Sequence, residues 1–169
     1  MARATRGLVW YERLSSMHKA LIFIHLVGFA AFLGAAFAQQ QFVARSAAEG
    51  IAADVRDEYE HLAAAIVTKI ELPALFVQIG VGICFLIMTP MWLTQGWLHA
   101  KLTCVVVLLV LSHLEMFNAR KIVKARARAD RGEPAETEIA ARKKRHGLFG
   151  TIGTLAVVVL IAMVAYGTG

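Results

Sequence analysis

Three stretches of this chain contain no Asp, Glu, Lys or Arg: Ala20–Ala44, Leu72–Ala100 and Gly147–Gly169, of 25, 29 and 23 residues. A fourth apolar run, Leu102–Leu114, is bracketed by Lys101 and Glu115. About 20 mainly apolar residues in helical form cross the hydrocarbon core of a bilayer. Lipid offers no partner to exposed backbone groups, so runs of this length fold as transmembrane helices. Of the 169 residues 58% are hydrophobic and 18% charged, against about 25% charged in an ordinary soluble domain. That balance excludes a soluble enzyme, a disulfide-stapled secreted domain and, despite a formal net charge of +6, a nucleic-acid-binding module. The expected fold is all-α: a polytopic membrane four-helix bundle forming a single transmembrane domain over 1–169. Its helices are expected at about 18–43, 64–94, 97–119 and 147–167, with membrane lipid around them.

Arg3, Arg6 and Arg13 precede the first run as they would in a signal sequence. The run is longer than a signal core of about 7–15 residues and ends in Ala38-Gln39-Gln40-Gln41, a poor cleavage site, so a retained helix is expected. In the second helix, Asp57-Glu58-Tyr59-Glu60-His61 leads in amphipathically, and Lys69 and Glu71 interrupt before Pro73. Proline inside a helix bends it and frees a carbonyl. Pro90 with Thr94-Gln95-Gly96 predicts a tight hairpin to the third helix. A basic loop follows at about 120–146, holding ten Lys or Arg against four acids; around Gly132-Glu133-Pro134 it reads as a break between two helical extensions. The positive-inside rule places this loop in the cytoplasm and both termini outside, with Arg3, Arg6, Arg13 and Lys19 opposing that orientation. The protein is therefore expected in a membrane, the bacterial inner membrane, with the loop resting on anionic lipid.

Ionisable residues inside a membrane are costly and mark function by default. Of six histidines, His18, His61 and His146 fall at predicted helix ends and read as solvated interfacial side chains. His25, His99 and His113 fall within spans. His25 lies about two turns into the first helix and His99 in the first turn of the third, at depths differing by about 5–8 Å. His113 follows His99 by fourteen residues, about 21 Å deeper and about 40° around the helix. Helix bundles hold haem between such facing side chains, and axial His is the usual ligand of b-type haem. His61 and Lys69 are the candidates for a second, deeper haem level. Copper is the competing metal, with Met88, Met91 and Cys104 as soft ligands beside the histidines. Lys101 is read either as snorkelling to the interface or as meeting a carboxylate beside a cofactor. Glu71 and Glu115 are intramembrane carboxylates; Glu71 is read as pairing with Lys69, Arg120 or His113, with a proton relay as the alternative. Cys84 and Cys104 read as small packing residues. Gly28, Gly34, Gly80, Gly82, Gly147, Gly150 and Gly153 either let helices approach closely or clear space for a flat ligand.

Gly96-Trp97-Leu98-His99-Ala100-Lys101-Leu102, with His113 beyond it, resembles the third helix of HemJ-type protoporphyrinogen IX oxidases. Lys19-Ala20-Leu21 with His25 and Gly34 is similar to that family's first helix, and Lys69-Ile70-Glu71-Leu72-Pro73-Ala74 to its second. The same superfamily includes CopD-like haem-binding membrane proteins. The resemblance implies haem b as cofactor, a porphyrin substrate, and electrons passing to the quinone pool. It puts the required first-helix histidine at His25 and the third-helix lysine at Lys101. His25 is then an axial ligand, with His99 or His113 as the second. The Arg…Asn-Glu-x-Pro stretch entering the family's last helix is here Arg145-His146-Gly147-Leu148-Phe149-Gly150-Thr151. The alternative is therefore a non-catalytic accessory or assembly subunit of a larger membrane complex or a homo-oligomer. Copper transport is the third reading.

Overall fold

The computed structural model describes the backbone of residues 2–166 and the side chains of 15–163, 165 and 166. Arg3, Arg6 and Arg13 lie outside the described side chains, and residue 167, where the fourth helix is expected to end, lies outside the described residues. The elements are helix α1 (Ala2–Ser46), helix α2 (Ala53–Met88), a short 3-10 turn (Pro90–Thr94), helix α3 (Gly96–Ala129) and helix α4 (Glu136–Tyr166). No strand occurs among the described residues. All four helices are long and apolar enough to cross a membrane, α1 through its Ser15–Ser46 part. The outward faces carry exposed Phe23, Leu26, Phe76, Ile87, Val106 and Leu155, the pattern of a bundle solvated by lipid rather than water.

Each helix is longer than its apolar run. α2 begins at Ala53 rather than near 64, because the amphipathic Asp57–His61 lead continues the helix below the apolar level. It is α-helical over Ala53–Ile66 and Leu72–Met88, with a π turn over Val67–Glu71 between them. There the Leu72 N–H donates to the Val67 carbonyl, five residues back. Pro73 explains the wider turn: its ring displaces the preceding carbonyls and it has no N–H to offer. Helices change direction at such points. α2 accordingly lies along α1 for its whole length but meets α3 mainly through its first half. The helix ends at Met88 rather than 94 because Thr89, preceding Pro90, leaves the helical region at φ −136°, ψ 66°.

The segment expected as a basic loop at about 120–146 is a helical hairpin. α3 continues to Ala129 and α4 starts at Glu136, so only Asp130–Ala135 turn. Gly132 has φ +83°; its N–H donates to Ala129 O at 2.9 Å and Glu133 N–H to Arg128 O at 3.1 Å. This is a Schellman stop, followed by Pro134, which cannot continue the helix. Ile122, Ala125, Ala135 and Ile139 form a small buried cluster between the arms. The apolar residues at helical spacing were masked in the sequence by the charges around them. Many of those charges are paired: Arg142 and Arg128 both reach Glu138, and Arg126 Nη1 meets Glu136 at 2.7 Å.

The two helical hairpins, α1–α2 and α3–α4, meet at a central apolar core. Phe32 of α1, Ala74 and Leu75 of α2, Leu108 of α3, and Val157 and Leu160 of α4 form it. Beyond the apolar level the helices are tied by one buried acid. Glu60, with a fully buried side chain, accepts from Arg126 Nε and Nη2 at 3.2 Å each and from Lys143 Nζ at 2.6 Å. Lys143 also donates to the Ser46 carbonyl that ends α1, at 2.8 Å. Removing one partner of a buried ion pair leaves uncompensated charge and costs about 3–5 kcal/mol. An exposed pair such as His61–Asp57, with side chains 60% and 44% exposed, contributes at most about 1 kcal/mol. Thermal unfolding in detergent is expected to show Glu60→Ala strongly destabilised and Asp57→Ala nearly unchanged. Equal shifts would mean that the Glu60 cluster does not hold the helix ends together.

Candidate functional site

Where α2 leaves α3, a cavity of about 390 Å3 opens between α1, the second half of α2 and the start of α3. His25 and Lys101 both line it, with His18 nearer the chain start. The other walls are apolar and aromatic: Phe29, Phe32, Phe85, Trp97 and Leu108 among them. Gly82 leaves part of the α2 wall without a side chain. His25 is half-buried, and its Nδ1 is buried without a hydrogen-bond partner. Its ring stands edge-on to Phe85 at 6.1 Å between centroids, and His18 does the same at 5.4 Å. Gln78 braces the backbone here, donating from Nε2 to the His25 carbonyl at 2.7 Å. Gly28 makes room for that brace, since a Cβ there would collide with the Gln78 amide.

The other two intramembrane histidines lie elsewhere. His99 is exposed, on a different face of α3 from Lys101, and is not among the residues lining this cavity. His113 is half-buried, its Nδ1 lies 2.8 Å from the Leu109 carbonyl, and its ring meets Phe76 edge-on at 6.0 Å. The structure thus gathers His25, Lys101 and His18, and leaves His99 and His113 outside. Met91 is 70% exposed, and Cys104 packs against the apolar core. Among the described residues no three His, Cys, Asp or Glu side chains converge as a metal site.

A second polar assembly lies deeper, between the core and the Glu60 cluster. His146, expected as a solvated helix-end residue, is completely buried. It is buried because α4 begins at Glu136, well before the apolar run that starts at Gly147, and carries the histidine inside the bundle. Asn118 Nδ2 lies 3.5 Å from His146 Nδ1 and donates to the Arg142 carbonyl at 2.8 Å. His146 Nε2 bonds to Gln39 Oε1, which can only accept, so Nε2 is the donor and Nδ1 faces the Asn118 amide as acceptor. Gln39 Nε2 then donates to Glu115 Oε2 at 3.1 Å, and Gln40 Nε2 to Glu115 Oε1 at 2.6 Å. Gly150 accommodates the Gln40 amide, which a Cβ would strike. Glu71, two residues before Pro73 and 1% exposed, has neither carboxylate oxygen hydrogen-bonded among the described residues. Ser112 is close by, but no hydrogen bond of good geometry joins the two. Pairing of Glu71 with Lys69, Arg120 or His113 is therefore not what the structure contains: Lys69 and Arg120 are exposed, and His113 bonds within its own helix.

Gln39, Gln40, Gln78 and Asn118 are the side chains that a search for ionisable residues passes over. Their signal was available: neutral amides inside apolar helices hydrogen-bond across helices because lipid offers them nothing. Comparison with protein-family models, with curated proteins and with solved structures finds no significant match to this chain. Removing Gln39 would leave His146 Nε2 and one Glu115 oxygen unpaired, at about 1–3 kcal/mol for each buried group. Gln39→Leu is expected to unfold at clearly lower temperature, while Gln41→Leu, at an exposed position, changes stability by about 0.5 kcal/mol or less. Identical melting curves for the two variants would show that the amide chain contributes no stability.

Proposed function

We propose that the protein is an integral membrane redox protein that holds haem b in the cavity containing His25 and Lys101. The observation that carries this reading is the placement of both residues in one apolar cavity. Three features of the site fit the group. A buried imidazole nitrogen of His25 has no hydrogen-bond partner among the described residues; the walls are mainly aromatic and aliphatic; and about 390 Å3 falls within the usual range for small-molecule sites, about 300–1,000 Å3. When bound, the haem iron supplies one-electron chemistry. His25 would hold the iron. Lys101 would place its ammonium against a propionate or a substrate carboxylate, an interaction strengthened by charge. Phe29, Phe85 and Trp97 would keep water from the macrocycle faces, and Gln78 would fix the α1 backbone under His25.

The resemblance to HemJ-type oxidases extends the proposal to oxidation of protoporphyrinogen IX, with electrons leaving to the quinone pool. On the same reading the basic α3–α4 hairpin faces the cytoplasm of a bacterial cell. The test is an oxidised and a dithionite-reduced absorption spectrum of the protein purified in mild detergent, with pyridine haemochrome quantitation. One b-type haem per chain is expected, lost in His25→Ala and kept in His99→Ala and His113→Ala. Lys101→Met is expected to keep haem and lose porphyrinogen oxidation. Absence of haem from the wild-type chain would falsify the redox reading and leave the accessory-subunit alternative. Loss of haem in His113→Ala but not His25→Ala would move the site to another face of the bundle.

A further inference from the structure

A separate chamber of about 510 Å3 lies between α1, α3 and α4, with Glu71 of α2 in its wall. Its lining is divided. Phe32, Phe37, Leu111 and Val157 form an apolar part; Glu71 and Glu115, with Ser112, Gln39 and Gln40, form a polar part. The two carboxyl groups differ in what they already hold. Glu115 accepts from both glutamines. Glu71 is 1% exposed, lines the chamber, and both of its oxygens lack a hydrogen-bond partner. No Lys, Arg or His is among the described residues lining the chamber. A buried carboxyl group stays charged only where a hydrogen-bonding counter-charge reaches it, and no described residue lining the chamber provides one.

We propose that this chamber is a binding site for a hydrophobic organic cation: an ammonium group against Glu71, and an aromatic or aliphatic body against Phe32, Phe37 and Leu111. The chemistry excludes other classes. An anion would meet two acids and no base. A bare metal ion needs several oxygens converging at about 2.0–2.6 Å, whereas the oxygens of Glu115 are engaged by amides and no metal-holding cluster occurs among the described residues. A ligand with donors and positive charge supplies Glu71 with the partner it lacks, and its apolar body fills part of the chamber. Entry needs no aqueous channel, because Phe37 is 68% exposed on the lipid-facing side of α1. The proposal is independent of haem.

The test is equilibrium dialysis of the purified full-length protein in detergent against protein-free micelles. The probe is 1-naphthylmethylammonium, and the comparator is 1-naphthylmethanol, of the same shape and without charge. Saturable binding of one ammonium per chain is expected, about tenfold or more tighter than the alcohol, as for a charge-assisted hydrogen bond in place of a neutral one. Glu71→Gln is expected to lower ammonium affinity about tenfold and leave the alcohol unchanged. A Cβ at Gly153, on the α4 wall, would have only Leu111 Cδ1 within reach, at 4.0 Å, so Gly153→Phe is expected to fill the chamber and abolish binding of both probes; it carries the test if Glu71→Gln does not fold. Equal affinity for the two probes overturns the proposal, as does undiminished ammonium binding in either folded variant. His25→Ala is expected to have no effect, which separates this site from the haem cavity.

Discussion

Inside lipid an apolar side chain gains almost nothing by leaving the tails for another helix, so packing alone is a weak guide to which helices pair. The fold depends on polar groups that have nowhere else to go. Gln39 and Gln40 of α1 reach Glu115 of α3, and Gln39 also holds His146 of α4. One layer therefore ties three helices at a single height. A carboxylate at this depth with its amide donors removed would be left with nothing but hydrocarbon. The glycine at position 150 belongs to the same device, since only a helix surface without a side chain admits the Gln40 amide.

Below that layer the Glu60 cluster does similar work where charge replaces amides. Glu60 of α2 holds Arg126 of α3 and Lys143 of α4, and Lys143 reaches the last turn of α1. All four helices are thus fixed at their linker ends. At the opposite end no such buried ion cluster occurs among the described residues. There Pro73 and the π turn before it direct the second half of α2 away from α3. A wedge opens away from the Glu60 clamp, and His25 and Lys101 come to face a common space. Rigidity at one end and separation at the other are consequences of where the acids and the proline fall in the sequence.

The positions of the four spans were legible because charge-free runs of this length have one solution in a bilayer. Their ends were not. Ile122, Ala125, Ala135 and Ile139 pack the α3–α4 hairpin, but in sequence they are isolated among ten basic residues, so charge rather than apolar spacing dominates the local pattern. His25 and Lys101 stood out as polar residues inside apolar runs. That Lys101 rather than His99 shares the cavity with His25 depends on the rotation of α3. Two residues along a helix turn a side chain by about 200°, and the sequence does not specify the starting angle.

The sequence by itself determined the all-α class, the four crossings, the break at Gly132–Pro134 and the proline that interrupts α2, because each follows from local chemistry: hydropathy, backbone freedom or a missing N–H. Only the tertiary structure decided that His146 is buried, that Gln39 links it to Glu115, and that Glu71 is buried with no hydrogen-bond partner among the described residues. Those outcomes depend on the azimuth and height at which distant helices meet. Hydrogen bonds between residues 76 and 107 positions apart leave no mark in any local pattern.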